Sequence, residues 1–599
     1  MTLTEVMNEL RVNDLKAAAK LLGLPKAITR KVDLIPAVEQ YVETNLELLL
    51  GRMGERERLL LAEAAHHEGR ISPRVFVAKH DCDLPGDEDD VDGKTPRSRH
   101  STLIQLITFR DDATGETCIP EGLAQRLKAA LPKPADATVV TVDEIPAVWH
   151  PTGKGSDTDE DRPIRTFEGE KTVFAELRRV LNLVQTGKVR VQDKNGRPAD
   201  GAVRLLTTAL VTPEFDVEVP GEDREEYIEA AGPVRAHAWA VLVQQCGWAK
   251  PQGGVLALTK AGKDLLGRVS PEGFRDGFQR FLGDDRFDEL NRINHIRGQT
   301  GKAKRYMTHP SERREAVCDS MVGWPVGRWI AFGEAFRFVD ASGGYLDVTD
   351  SPYDLYMADS QYGRLGDAGD DVERQYARAL FMESLATLGV VDIAYVYPHW
   401  MWPELGDSWG IEDMAFCGRY DGLLYVRLSS LGAYCLGRAD RYEPPAPEQR
   451  GLLKVLANRE LAVRGGELTP ADRATLELFA EQSGDHLWRL DSQRILDHVE
   501  RGGSVEDVTR FLAQNTTEEI PHTVEVFLGD LAAKLDAVQG VQRAMLLEMK
   551  DAEVAARVAH DRRTQSLCRL AGERHLVVPE SSERAFRTAM KKLGCVVPP

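Results

Sequence analysis

The chain has no run of apolar residues long enough to cross a bilayer, and residues 1–15 carry polar side chains throughout. Neither a membrane span nor a signal peptide is therefore expected, and a cytoplasmic location follows as an expectation. Cysteine is scarce. The eight residues, at 82, 118, 246, 318, 417, 435, 568 and 595, form no CxxC pair and no Cys/His set at ligand spacing, which argues against a disulfide framework or a zinc site. Most are expected to be small buried apolar residues, Cys435 within 431–436 among them. Positive charge is also short: 76 Lys and Arg against 95 Asp and Glu give a formal net charge of -19 over 599 residues. Because non-specific affinity for nucleic acid comes largely from neutralising phosphates, this balance weighs against DNA binding. The acid is concentrated at 87–92 and 157–161, however, and basic residues cluster elsewhere.

Catalytic motifs are missing too. Gly298-Gln299-Thr300-Gly301-Lys302 invites comparison with a phosphate-binding loop, but such a loop needs four residues between its glycines, a Ser or Thr after the lysine and a buried strand before it. Here Ala303 follows Lys302 and the preceding 291–297 is polar. No acidic strand suited to magnesium follows, nor does the sequence hold a Gly-x-Ser-x-Gly elbow. His66 and His67 are adjacent, so on a helix they face different ways and cannot make the i, i+4 pair of a zinc helix. No catalytic residue, cofactor or metal is assigned, and a nuclease or other enzyme with an unrecognised site is the weakest reading.

What is present is clearest near the C-terminus. After a strand-like Leu487-Trp488-Arg489-Leu490, Asp491 and Ser492 can accept backbone N–H bonds at a helix start, and Ile495, Leu496 and Val499 follow at helical spacing. Gly502 and Gly503 stop that helix. Ser504 caps a second, with Glu506 and Asp507 in its first turn, and Pro521 opens a third along Val524, Phe527, Leu528 and Leu531. Strand-like pieces at 541–549, 566–570 and 575–578 and a last helix at 583–593 complete the pattern. Together with a strand at 452–463, the run Leu468-Thr469-Pro470 into a helix ending near Phe479, and Ile520-Pro521, this succession resembles the helicase-associated domain at the N-terminus of XPB-type DNA helicases. The resemblance covers roughly 452–595. It implies association with DNA-processing machinery and supplies no catalytic residues.

At the other end, Leu10, Val12, Leu15 and Leu21 give an apolar helix face, Gly23-Leu24-Pro25 breaks it, and Lys31, Leu34, Ile35 and Val38 resume it. Leu15-Lys16, Gly23-Leu24 and Lys31 with Leu34-Ile35 resemble a SAP motif, a small DNA-binding helical hairpin, although the usual glycine ahead of the lysine is absent. The resemblance implies phosphate contacts from Lys16, Lys20, Lys26, Arg30 and Lys31; a solvated hairpin with interspersed acids is the plain alternative. Between the ends, helix–strand–turn–strand patterns suggest winged-helix-like units. One spans 46–131, with hairpin strands at 103–109 and 117–119. Others lie at 174–211, at 236–266 around Gln252-Gly253-Gly254, and at 373–437, where 390–397 and 422–428 are expected to pair.

The expected fold class is therefore mainly α with small β-hairpins (α+β), multidomain, with tandem winged-helix-like modules and a C-terminal helicase-associated α/β domain. The segments are a SAP-like motif at 1–44, a winged-helix-like domain at 45–145, an acidic linker at 146–166 and two winged-helix-like units at 167–285. A basic loop and helical segment at 286–350, a winged-helix-like unit with an aromatic insertion at 351–446, and the helicase-associated domain at 447–599 follow. The richest basic stretch, 292–314, carries Arg292, Arg297, Lys302, Lys304, Arg305, Arg313 and Arg314, with Gly298 and Gly301 allowing close approach to a phosphate strand. Pairing with the acidic loops at 284–288 or 367–371 is the competing reading. Tyr397, His399, Trp400, Trp402 and Trp409 can stack on bases, anchor a protein partner, or pack a long wing against its domain. The function expected is a non-catalytic DNA-binding accessory protein serving a separately encoded helicase in repair, transcription or defence against foreign DNA. A protein-interaction scaffold that never touches DNA is the alternative, and the net charge suits it.

Overall fold

The computed structural model describes residues 1–85, 101–150, 161–212, 214, 231–268, 270–293, 295–298, 307–344, 346–349, 355–359, 363–364, 369–402, 405–406, 408, 411, 414–445, 451–464, 468, 470–500, 503–535 and 543–598. They form two compact units, Met1–Leu452 with Val463–Ser504, and Leu453–Ala462 with Val505–Pro599. Helices predominate over small antiparallel sheets, so the mixed α+β class holds.

In the larger unit, the N-terminal helices form where the sequence supplies both a cap and an apolar stripe. Thr2 and Glu5 make a reciprocal capping box at the start of Leu3–Glu9, satisfying two N–H groups that the first turn leaves open. Val12–Leu22 ends on Gly23 in the left-handed region (φ 77°), which glycine adopts without steric penalty. Its buried Leu15, Ala18, Ala19 and Leu22 pack with Leu34, Ile35, Val38 and Val42 of Lys31–Thr44 in one core reaching Leu131. The hairpin strand expected at 103–109 is not formed. Leu103, Ile104, Leu106 and Ile107 are all buried, a helical rather than alternating spacing, and 101–104 is a helical turn; only Phe109–Arg110 pairs with Thr117–Cys118.

A second core runs without a break from Phe167 to Cys435 and on to Ala474. Segments read from the sequence as separate winged-helix-like units thus share one interior. Within it, helix Arg235–Gln245, hairpin Ala249–Gln252/Val255–Leu258 and helix Lys260–Gly267 follow the expected order, with Gly253 (φ 62°) and Gly254 (φ 78°) as the two turn residues. Val391–Tyr395 and Leu423–Leu428 pair as expected. They do so inside a four-stranded antiparallel sheet completed by Trp329–Ala331 beyond Leu423–Leu428 and by Arg165–Phe167 beyond Val391–Tyr395. The larger unit also holds hairpin Ala480–Gly484/Leu487–Leu490 and helix Ser492–Glu500, whose first turn is capped by Asp491 accepting from the Arg494 N–H at 2.9 Å.

The smaller unit contains helices Val505–Asn515 and His522–Leu535, starting where Ser504 and Pro521 place them. Beyond them, Ala544–Glu548, His575–Pro579 and Arg569–Ala571 form a three-stranded antiparallel sheet with His575–Pro579 central. Phe586 and Met590 of Glu583–Lys592 share its core with Val558 of Ala552–His560.

Packing in the larger unit leaves no room for a side chain where Gly277, inside helix Pro271–Leu282, meets the buried indole of Trp248: an added Cβ would lie 2.4 Å from the ring. Gly277→Ala should lower stability by about 1–3 kcal/mol through overpacking, despite the roughly 1 kcal/mol by which alanine favours a helix. A denaturant midpoint at or above the parent value would contradict this packing.

Candidate nucleic-acid interface

Of the cations that the sequence nominates, those in the N-terminal hairpin are exposed except Lys31. Lys16 and Lys20 are exposed on Val12–Leu22, opposite its buried Leu15, Ala18 and Ala19, and Lys26 is exposed in the following turn. Arg30 pairs with Asp33 at 2.8 Å on the surface, an exposed i, i+3 contact worth little against solvent. Lys31 is half-buried and donates to the Asn8 carbonyl at 2.7 Å, tying the third helix to the end of the first.

The basic stretch divides. Arg313 is buried and grips Asp288 with two bonds of 3.0 and 2.8 Å, its guanidinium 4.7 Å from the Tyr376 ring centre. Arg314 is fully buried, holds Glu289 at 2.8 and 3.1 Å, and donates to the carbonyls of Phe281, Phe287 and Asp284. Arg292 reaches both oxygens of Glu383 at 3.1 and 3.2 Å and the Pro233 carbonyl at 2.9 Å. These three arginines are consumed internally. For Arg313 the competing reading, pairing with acid at 284–288, is what the geometry displays. Arg297 is exposed on strand Ile296–Gly298, which pairs with Leu355–Asp359. Lys302, Lys304 and Arg305 lie outside the described residues, as does most of the Gly298–Lys302 sequence.

Glu383 was not legible as a key residue. It sits in a π-helical segment, Leu380–Leu385, that continues helix Gly369–Ala379, so that Glu383 and its neighbour Ser384 both reach the ionic cluster, the latter 3.5 Å from Glu289. Tyr420 donates its hydroxyl to Glu383, and His237 Nδ1 lies 3.3 Å from the other oxygen. Burial by itself would raise the Glu383 pKa; the Arg292 charge, with His237 and Tyr420, more than offsets it and holds the carboxyl down at about 2. Burial pushes the Tyr420 phenol well above its ordinary value, so it stays a donor.

The aromatic insertion is mostly interior. His399, Trp400 and Trp402 are buried, the two indoles 5.6 Å apart edge to face, and Trp402 Nε1 donates to the Met414 carbonyl at 2.8 Å. Trp409 lies outside the described residues. This is the packing reading of the three. His67 Nδ1 approaches its own helix at the Glu63 carbonyl, 2.8 Å, and among the described residues no group of three or more His, Cys, Asp or Glu is placed to hold a metal. Six of the eight cysteines are buried. No described helix is long and apolar enough to cross a membrane.

The clearest outside bearing comes from the C-terminal pattern. A family model described as the helicase conserved C-terminal domain matches residues 453–571. This segment is thus similar to a helicase C-terminal-type domain. The match stops at Ala571, the last residue of an edge strand, whereas the central strand of that sheet, His575–Pro579, lies beyond it. The folded module therefore extends past the helicase-type match. No curated protein matches the chain.

Glu383 gives a test of the ionic cluster. With a folded pKa near 2 against an ordinary 4.5, its contribution is fully present above pH 4.5 and is lost as pH falls toward 2. Glu383→Gln should cost about 3–5 kcal/mol at neutral pH by leaving Arg292 without its charge partner. The gap from the parent should shrink below pH 4.5. A gap that widens on acidification would contradict the assignment.

Proposed function

We propose that the chain is a non-catalytic DNA-binding accessory protein that positions DNA for, or regulates, a separately encoded helicase. The observation that carries this reading is the helicase C-terminal-type domain at 453–571, in a sequence without a recognisable motor motif. Its XPB-like succession of strand, helix and Gly-Gly-Ser turn fits a module that sits beside a motor. The exposed Lys16, Lys20 and Lys26 on a SAP-like hairpin, with Arg297 and the basic residues Lys302, Lys304 and Arg305, would supply phosphate contacts that set register without reading sequence. The helix–hairpin–helix order at 235–267 is the best-formed of the winged-helix-like units and offers a second kind of docking element. Repair, transcription or defence against foreign DNA are the settings in which such a factor serves a helicase.

A protein-docking scaffold is the second reading, favoured by the net charge of -19. The two differ in salt behaviour. Fluorescence anisotropy with forked DNA should show binding at low salt, with log K falling linearly against log salt. Replacing Lys16, Lys20 and Lys26 with Ala should reduce that slope by about three, and replacing Arg297, Lys302, Lys304 and Arg305 should flatten it further. No binding to forked, duplex or single-stranded DNA even at low salt would leave only the scaffold.

A further inference from the structure

The C-terminal 57 residues, 543–599, run against the charge of the chain: they hold eleven Lys and Arg against seven Asp and Glu. In the structure part of that excess gathers on one open groove of about 610 Å³ in the smaller unit. One wall is helix Glu583–Lys592, where Arg584, Thr588 and Lys592 recur every four residues and so share a stripe. Ala589 keeps the floor low. Arg563, from the turn after Ala552–His560, closes the other side and donates to the Lys592 carbonyl at 3.3 Å, which brings two cations to one end of the groove. Among the described residues, no Asp or Glu lines it. The one acid in the helix, Glu583, is paired with Arg587 at 2.8 Å, and Arg587 also donates to the Val597 and Pro598 carbonyls.

The placement of Arg584 is unfavourable for folding alone. It stands in the first turn of its helix, where the aligned peptide dipoles present partial positive charge and favour acids. A cation held there, with other cations across the groove and no described carboxylate paired with it, is better accounted for by an anionic ligand than by stability.

We infer that this groove binds the phosphate backbone of nucleic acid, Arg563, Arg584 and Lys592 meeting successive phosphates while the hydroxyls of Ser581 and Thr588 line the same path. The inference rests on the DNA-binding reading above and adds a second contact surface to it, one that lies mostly beyond the helicase-type match ending at 571.

The test uses the full chain with fluorescein-labelled forked DNA, comparing the parent, Arg584→Ala/Lys592→Ala, and the Lys16, Lys20 and Lys26 alanine triple. The groove variant is expected to bind about tenfold more weakly at moderate salt and to lose about two from the slope of log K against log salt. Arg584→Ala alone should melt at or above the parent temperature, since it removes a cation from a helix N-terminus, so lost binding would not reflect lost fold. Unchanged affinity and slope in the groove variant, with weakening in the triple, would overturn the groove and leave DNA binding standing. Absence of DNA binding by the parent would remove both. Labelled polyglutamate bound by the parent as tightly as DNA, and lost in the groove variant, would overturn the nucleic-acid assignment in favour of an acidic polypeptide.

Discussion

The larger unit is assembled around buried pairs of arginine and carboxylate. Arg313 with Asp288, Arg314 with Glu289, and Arg292 with Glu383 pack against one continuous apolar core, and each guanidinium also donates to at least one backbone carbonyl. Such pairs gain little over apolar packing of equal volume, because desolvation offsets most of the attraction, but a broken one leaves a bare charge in a medium that solvates it poorly. The register of helix Pro310–Met321 against the 284–292 segment is therefore strongly specified. The same constraint extends to Arg74, which meets Asp340 at 2.8 Å and Glu373 at 2.7 Å and so fastens the helix Pro73–His80 to the central core.

That constraint also sorts the cations by role. In a chain with nineteen more acids than bases, the buried Arg235, Arg313 and Arg314 each pair with a carboxylate. Lys16, Lys20 and Lys26 at the N-terminal hairpin, and Arg584 and Lys592 in the C-terminal module, stand apart as exposed cations with no carboxylate partner among the described residues. The acidic bulk would repel a polyanion elsewhere, so contacts confined to these patches would be strongly salt-dependent and would orient DNA rather than coat the protein with it.

Local pattern carried much of the fold into the sequence. The Gly253-Gly254 hairpin, the paired strands 391–395 and 423–428, and the starts of Ser492–Glu500 and Val505–Asn515 were all readable, because each depends on turn chemistry, caps or periodicity within a few residues. The strands Arg165–Phe167 and Trp329–Ala331 were not, since three-residue strands recruited from far along the chain leave no local signature. The basic stretch misled in part for the same reason. Arg313 and Arg314 precede Val317, Cys318 and Met321 by helical intervals and so share their buried face, and a charge count sees the residues without the face. The C-terminal groove escaped notice because Arg584 and Lys592 come together with Arg563 only once the helix packs on its sheet.

DNA is expected to touch this acidic protein only at its exposed basic patches. Hydrogen–deuterium exchange of the full chain with and without forked DNA tests it most directly. Protection confined to Val12–Leu22, Lys31–Thr44, Ala552–His560, Glu583–Lys592 and the basic stretch around Arg297 is the expected result. Protection centred instead on the four-stranded sheet of the larger unit, or no protection at saturating DNA, would contradict the account.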